Sequence, residues 1–329
     1  MIAGLLVIPG VLLLMKGADF FVESAASIAK KLNISPMVIG LTVVAFGTSL
    51  PELVVNIISA VNNNTEIAFG NIVGSNIANI LLILGLSAII LPLVVKHNTV
   101  WKEIPMSFLA AILLFIFALQ RQIDTGKTYE IFSKSGSEIA GSITFTHGIF
   151  LLFIFIIFLY YTFGIAKNND TTPSEINEMS ITKSTTYFIL GLFAVVMGGK
   201  FMVDGVLAVA RSFGISESLL GLTVVAVGTS LPELVTNIVA AKRGYTDIAV
   251  GNVIGSNIFN IFFILGLTAL IRPVPVTYFA IVDISFLLFV TFLTFLFLFV
   301  LDKYKVGKIE GVIMLLLYCT YLLHLVFRG

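Results

Sequence analysis

Two acidic residues, Glu52 and Glu233, close the same six-residue phrase, Gly-Thr-Ser-Leu-Pro-Glu, once at 47–52 and again at 228–233. Proline has no backbone N–H, so Pro51 leaves the Gly47 carbonyl without its helical donor, and Pro232 does the same to Gly228. A helix carrying this phrase is expected to kink and to free carbonyl oxygens near Ala45–Thr48 and Ala226–Thr229. Such oxygens are hard ligands, of the kind that sodium and calcium take. Thr48 and Glu52 are four apart, as are Thr229 and Glu233, which puts each pair on one helix face. Two bidentate glutamates and two threonine carbonyls together approach the roughly six to eight oxygens of a calcium site. Two carboxylates also balance one divalent charge.

A second phrase follows each glutamate, Gly70 to Asn79 and Gly251 to Asn260, on the pattern GN-x-x-GSN-x-x-N. Ser75 and Asn79 share a helix face, as do Ser256 and Asn260, and each can offer a neutral side-chain oxygen. Neutral ligands beside a carboxylate suit a monovalent ion. Asn76 and Asn257 fit either ligation or helix–helix hydrogen bonds. Asn56 and Asn237, one turn beyond the glutamates, read as supports. Gly70/Gly74 and Gly251/Gly255 read as close-packing pairs.

The elements that carry these residues are membrane helices. Apolar residues make up 58% of the 329-residue chain and charged ones 11%, against about 25% charged in a soluble domain. Ten helices fit the apolar runs, at about 2–31, 35–62, 66–93, 99–120, 141–166, 183–212, 216–242, 247–271, 276–301 and 307–327. The polar stretches Arg121–Ser137 and Lys167–Lys183 read as extramembrane loops. The N-terminal segment reads as a retained first helix and not a signal peptide. Residues 40–86 match 221–267 without a gap at a shift of 181, with about two-thirds of the positions identical. The chain thus divides into 1–166, a linker at 167–182, and 183–329. Five helices is an odd number, so the second half enters the membrane from the opposite side and the repeats are inverted. Matching residues then face each other near the midplane. The expected class is an all-α membrane protein of ten transmembrane helices in two inverted five-helix repeats.

A glutamate at bilayer depth needs a partner, and no basic residue is well placed to serve either one. A cation, or a proton when the site is empty, fills that role. Orientation follows from Lys and Arg bias. One side collects Lys30, Lys31, Lys96, Lys102, Lys167, Lys183, Lys242, Arg243, Lys303, Lys305 and Lys308; the other has Arg121, Lys127, Lys134, Arg211, Arg272 and Arg328. The richer side is expected to be cytoplasmic, with both termini extracellular and the 167–182 linker inside, in a multi-pass protein of the cell membrane.

The paired phrases closely resemble the alpha repeats of the cation/calcium exchanger superfamily, above all its sodium/calcium exchangers. The resemblance covers about 47 residues of each half, and the short linker resembles that of compact prokaryotic members. It implies that Glu52 and Glu233 are shared calcium and sodium carboxylates, with Thr48 and Thr229 giving carbonyl and hydroxyl oxygens. It further implies that the Ala45 and Ala226 carbonyls, with Ser49, Ser75, Ser230 and Ser256, shape flanking sodium sites, and that Asn79 lines the middle. Potassium-dependent members carry Asp where this chain has Asn260, so the resemblance is to the potassium-independent branch. It implies three sodium ions inward per calcium outward, with the first and sixth helices sliding across the remainder. The transported ions are then Ca²⁺ and Na⁺, with no cofactor, no nucleic acid and no obligatory protein partner besides the lipid bilayer.

Three rivals make different demands. A proton/calcium antiporter, or another cation exchanger, runs on a pH gradient or another ion, and its proton-coupled members carry a different acidic phrase. A passive channel has no counter-ion. An intramembrane hydrolase needs a base beside a nucleophile, and Ser49 and Ser230 have no such partner in sequence, so the chain is read as no enzyme. Lys16 and Asp19 are expected to pair locally, and Glu23, Lys200 and Asp204 to pair or snorkel. His97, His147 and His324 are expected at the interfaces, and the single cysteine, Cys319, as a packed core thiol.

Overall fold

The bend expected from the proline phrase is present twice, with the same backbone geometry. In a computed structural model that describes residues 6–63, 65–126, 136, 138–166, 178–212, 226–300 and 302–328, helix α1 covers Val7–Lys31. Helix α2 follows in two arms, Pro36–Thr48 and Leu50–Val61, bent by 46° at Ser49. Pro51 falls in the first turn of the second arm, where a missing N–H costs nothing. Helix α7 repeats the design in arms Ala226–Thr229 and Leu231–Lys242. The hinge serines have φ −82°, ψ 8° at Ser49 and φ −87°, ψ 6° at Ser230. The expected start of the seventh helix, at 216–225, lies outside the described residues.

The remaining helices are α3 (Thr65–Ile90), α4 (Thr99–Asp124), α5 (Phe145–Ala166), α6 (Ile181–Ser212), α8 (Thr246–Ile271), α9 (Tyr278–Val300) and α10 (Lys308–Arg328). Among the described residues α3, α4, α5, α6, α8, α9 and α10 are each long and apolar enough to cross a membrane, and the bent α2 makes an eighth. Exposed Phe153, Ile156 and Phe163 on α5, and Leu316, Leu323 and Phe327 on α10, give the outer surface an apolar face suited to lipid. This is a helical membrane protein.

Helices α3 and α8 form the centre, with 78% of an 18-residue apolar stretch of each buried. They run antiparallel. Lys96, just past α3, pairs with Asp247 at the start of α8 at 2.9 Å. At the other end the Thr65 hydroxyl, at the start of α3, donates to the carbonyl of Pro273, just past α8, at 3.4 Å. Both helices widen into a π turn, Asn79–Leu84 in α3 and Phe259–Leu265 in α8, a distortion common at functional positions. Gly251 packs α8 onto α2, since a Cβ there would lie 2.7 Å from the Met37 carbonyl oxygen. Gly255 abuts the Leu41 carbonyl in the same way. Those two glycines act as the close-packing pair expected of them; residues 221–225, the counterparts of this α2 stretch, lie outside the described residues. At the periphery α1 and α6 zip together through Gly17 and Gly191, where a Cβ on Gly191 would sit 2.8 Å from the Gly17 carbonyl oxygen.

Two short antiparallel ladders, absent from an all-α expectation, tie the loops. Strand β1 (Leu93–Val94) pairs with β4 (Lys305–Val306), and β2 (Ile139–Ile143) pairs with β3 (Val274–Thr277). Helices expected to begin at 141 and 276 therefore begin at Phe145 and Tyr278. Pro273 and Pro275 withhold helical N–H groups, and Val274, Val276 and Thr277 favour a strand. Cys319 is exposed and not packed, because α10 buries the neighbouring stripe of Gly311, Met314, Tyr318 and Tyr321. Asp19 and Glu23 are met not by a neighbour on α1 but by Arg243, at 3.1 and 3.5 Å, while Lys200 and Asp204 pair locally at 2.7 Å.

Candidate ion-binding site

Glu52 and Glu233 follow the hinges of α2 and α7, and both are 1% exposed. Each carboxylate is served by the other half of the chain. Ser49 donates to Glu233 Oε1 at 3.0 Å, and Ser230 donates to Glu52 Oε1 at 3.3 Å. The Thr229 hydroxyl also faces Glu52, and the Thr48 hydroxyl faces Glu233. The one-face relation expected of Thr48 and Glu52 is therefore replaced by a crossed one, because the hinge at Ser49 interrupts the helix between them. From its own half Glu52 accepts a further bond from Ser75 at 3.3 Å, and Ser230 reaches Ser75 at 3.2 Å.

The two asparagines of each second phrase interlock across the α3–α8 contact. Asn79 Nδ2 donates to Asn257 Oδ1 at 3.0 Å, and Asn260 Nδ2 donates to Asn76 Oδ1 at 3.0 Å. Asn76 and Asn257 are thus helix–helix braces. The braces consume the amide nitrogens of Asn79 and Asn260 and leave their carbonyl oxygens over. Glu52 Oε2, Glu233 Oε2, Asn79 Oδ1 and Asn260 Oδ1 are all buried with no hydrogen-bond donor, and so is the hydroxyl of Ser256. Buried oxygens without donors cost free energy unless a cation takes the donor's place. This donor set, two carboxylates among neutral oxygens, fits a hard cation.

Ala45 differs from expectation. Its carbonyl is not free but accepts the Ser49 N–H at 3.0 Å and the Thr48 hydroxyl at 3.3 Å. The helix breaks at Ser49, late enough for the Ala45 bond to survive. Ala226 begins the described first arm of α7. Among the described residues no three His, Cys, Asp or Glu side chains cluster as a metal site, so the acidic pair stands alone. The histidines lie elsewhere: His147 bonds Gln120 and stacks on Phe117, and His97 lies against Trp101 and Tyr304.

A family model for sodium/calcium exchanger proteins matches residues 2–164 and 183–327. The chain belongs to the sodium/calcium exchanger family. It is 35% identical to the sodium/calcium exchanger MaX1 of Methanosarcina acetivorans, over 97% of each chain. It is 34% identical to a putative antiporter, CaxA, of Alkalimonas amylolytica, over 98% of each. The solved sodium-calcium exchanger NCX_Mj, soaked with sodium and no calcium, superposes with a TM-score of 0.81 at 34% identity over 97% of each chain.

Within this exchanger chain two buried residues went unassigned in the sequence. Asn252 Oδ1 accepts the Thr48 hydroxyl at 3.1 Å, and Asn71 Oδ1 accepts the Thr229 hydroxyl at 3.2 Å. Their signal was present, since both are the invariant second letter of the repeated GN-x-x-GSN phrase. Only the fold reveals that they reach the other half. Thr236 is a further buried hydroxyl without a partner, at a position where the first repeat has Val55.

Proposed function

We propose that the protein is a sodium/calcium antiporter that uses one site, built around Glu52 and Glu233, in alternation for calcium and sodium. The observation that carries the reading is the group of buried, donor-less oxygens on Glu52, Glu233, Asn79 and Asn260, in a chain of the exchanger family. Calcium takes both carboxylates with the neutral oxygens of Thr48, Thr229, Asn79 and Asn260. Sodium ions take the same carboxylates together with flanking oxygens from Ser49, Ser75, Ala226, Ser230 and Ser256. Because both ions need the carboxylates, one leaves as the other binds, and the cycle is an exchange. The sodium gradient then drives calcium out. Moving one net charge inward per cycle adds about 2.3 kcal/mol per 100 mV of membrane potential.

The fold reading that goes with it is ten transmembrane helices in two inverted repeats, 1–166 and 183–329, joined by a cytoplasmic linker at 167–182, with both termini extracellular. The antiparallel course of α3 and α8 supports the inversion. So do the ladders, since β1 and β3 leave equivalent helices and each pairs with the α4–α5 or α9–α10 connection of the other half.

The test is calcium-45 uptake into sodium-loaded proteoliposomes, with potassium- or choline-loaded controls, for wild type and Glu52→Gln. Uptake that needs internal sodium and disappears in the variant supports the antiporter and its ligand together. Uptake driven by a pH gradient without sodium moves the protein to proton coupling, and no uptake under any gradient removes calcium as the cargo.

A further inference from the structure

The shift of 181 residues gives every polar group of the site a counterpart, so each contact can be checked against its image. Three cross-repeat contacts are matched: Ser49–Glu233 with Ser230–Glu52, Thr48–Asn252 with Thr229–Asn71, and Asn79–Asn257 with Asn260–Asn76. One contact is not. In the second half Asn252 Nδ2 donates to Asn237 Oδ1 at 2.7 Å, and Asn237 Nδ2 donates to the Ala249 carbonyl at 3.0 Å. Their images, Asn71 and Asn56, do not meet. Asn71 Nδ2 and Asn56 Oδ1 are buried without partners, and Asn56 Nδ2 turns back onto the Glu52 carbonyl oxygen at 2.8 Å.

An unpaired donor and an unpaired acceptor that are each other's image-partners identify a bond the fold can make and has not made here. In a transporter of inverted repeats, exchanging the roles of the halves exchanges the face to which the site opens. A contact present in one half only is therefore a contact that changes hands during the cycle. We propose that Asn56–Asn71 and Asn237–Asn252 form a reciprocal switch, one pair closed when the site faces one side of the membrane and the other pair closed when it faces the opposite side. The inference rests on the antiporter reading and on inverted repeats.

The switch is wired to the site at both ends. Asn71 and Asn252 hold Thr229 and Thr48, the threonines of the opposite repeat. Asn56 Nδ2 donates to the backbone of Glu52 itself, where its image Asn237 Nδ2 donates to the Ala249 carbonyl. Closing the Asn56–Asn71 pair in the arrangement of its image, with Asn56 Nδ2 turned to the Ala68 carbonyl as Asn237 Nδ2 is to that of Ala249, takes the Asn56 side chain off the Glu52 carbonyl, and opening Asn237–Asn252 loosens the hold on Thr48. These asparagines act through Thr48, Thr229 and Glu52, so they are positioning residues and not ion ligands.

The experiment measures half-saturating calcium at each face, with the exchanger inserted in one orientation in proteoliposomes. Each face reports the fraction of protein facing it, because apparent affinity scales with the population of the competent state. Asn237→Ala removes the pair closed in this structure, and Asn56→Ala removes its image. The ratio of the two faces' half-saturating concentrations should move in opposite directions in the two variants, by about fivefold each, and return toward wild type in the double variant. Asn237→Ser and Asn56→Ser, which keep a small polar side chain, repeat the comparison in case the alanine variants do not fold. A ratio that stays fixed, or moves the same way in both variants, overturns the switch and leaves the asparagines as plain packing. A wild type without sodium-driven calcium flux ends the antiporter reading first, and the switch with it.

Discussion

The Ser49 hydroxyl donates to Glu233 at 3.0 Å across 184 positions of sequence. Ser230 returns the contact to Glu52 at 3.3 Å, so neither half of the chain completes its own carboxylate. Removing either carboxylate should therefore disable the whole site. Glu52→Gln and Glu233→Gln should each lower sodium-driven calcium-45 uptake by about a hundredfold or more, since a full buried charge is lost against a divalent ion. Ser49→Ala removes one hydroxyl hydrogen bond to the Glu233 carboxylate and should cost about tenfold in calcium affinity. A Glu233→Gln protein that still exchanged at near wild-type rates would contradict a shared central site.

Asn79 is held by its amide nitrogen so that its carbonyl oxygen is left for another partner. Both the oxygen and the brace should matter, in different ways. Asn79→Ala should raise half-saturating calcium by about tenfold while leaving the protein stable in detergent. Asn257→Ala removes the brace and leaves the Asn79 oxygen free to swing, so it should produce a smaller rise. Calcium titrations of uptake distinguish the two, and equal effects from both variants would argue that Asn79 is only a structural residue.

Much of this site was legible in the sequence because it is written twice. The repeated proline phrase located both hinges, and the burial of Glu52 and Glu233 followed from acidic residues standing in apolar runs. The crossed pairing of Thr48 and Ser49 with the second half was not legible. Spacing of four assumes a continuous helix, and the hinge at Ser49 falls inside that interval. Asn71 and Asn252 were missed because a hydrogen bond between two halves has no periodicity to announce it. The β ladders were missed for a simpler reason: Leu93–Val94 and Lys305–Val306 are too short to carry an alternating pattern. Arg243 was read as a loop charge, yet it serves Asp19 and Glu23 on α1, a pairing only the packed fold provides.

Gly251 and Gly255 lie against the α2 backbone at Met37 and Leu41, with no room for a Cβ at either position. The contact fixes the distance between the hinge helix and the central helix α8. Gly255→Ala should cost about 1–3 kcal/mol through overpacking, because the neighbour is backbone and cannot rotate away. The variant should unfold at a lower temperature in detergent and lose calcium affinity in parallel. Gly244→Ala, at a left-handed turn (φ 76°) outside the site, should lower stability without altering the half-saturating calcium of the folded fraction. Thermal unfolding followed alongside uptake separates these effects.

The loops sort into two ends, and the sorting yields a test of topology. The β1–β4 ladder brings 93–94 to 305–306, and the Lys96–Asp247 pair adds the start of α8 to the same end. Lys102, Lys303 and Lys308 follow in the same connections, which makes this end the lysine-rich one and, by charge bias, the one proposed to be cytoplasmic. The β2–β3 ladder gathers 139–143 and 274–277 at the connection that Arg272 precedes. Lys303 and Arg272 are both exposed and make suitable probes in a Cys319→Ser background. A membrane-impermeant thiol reagent added to intact cells should label Arg272→Cys and spare Lys303→Cys until the membrane is opened. Labelling of Lys303→Cys alone would invert the orientation while keeping the repeats, and labelling of both from outside would break the two-ended arrangement on which the inverted repeat depends.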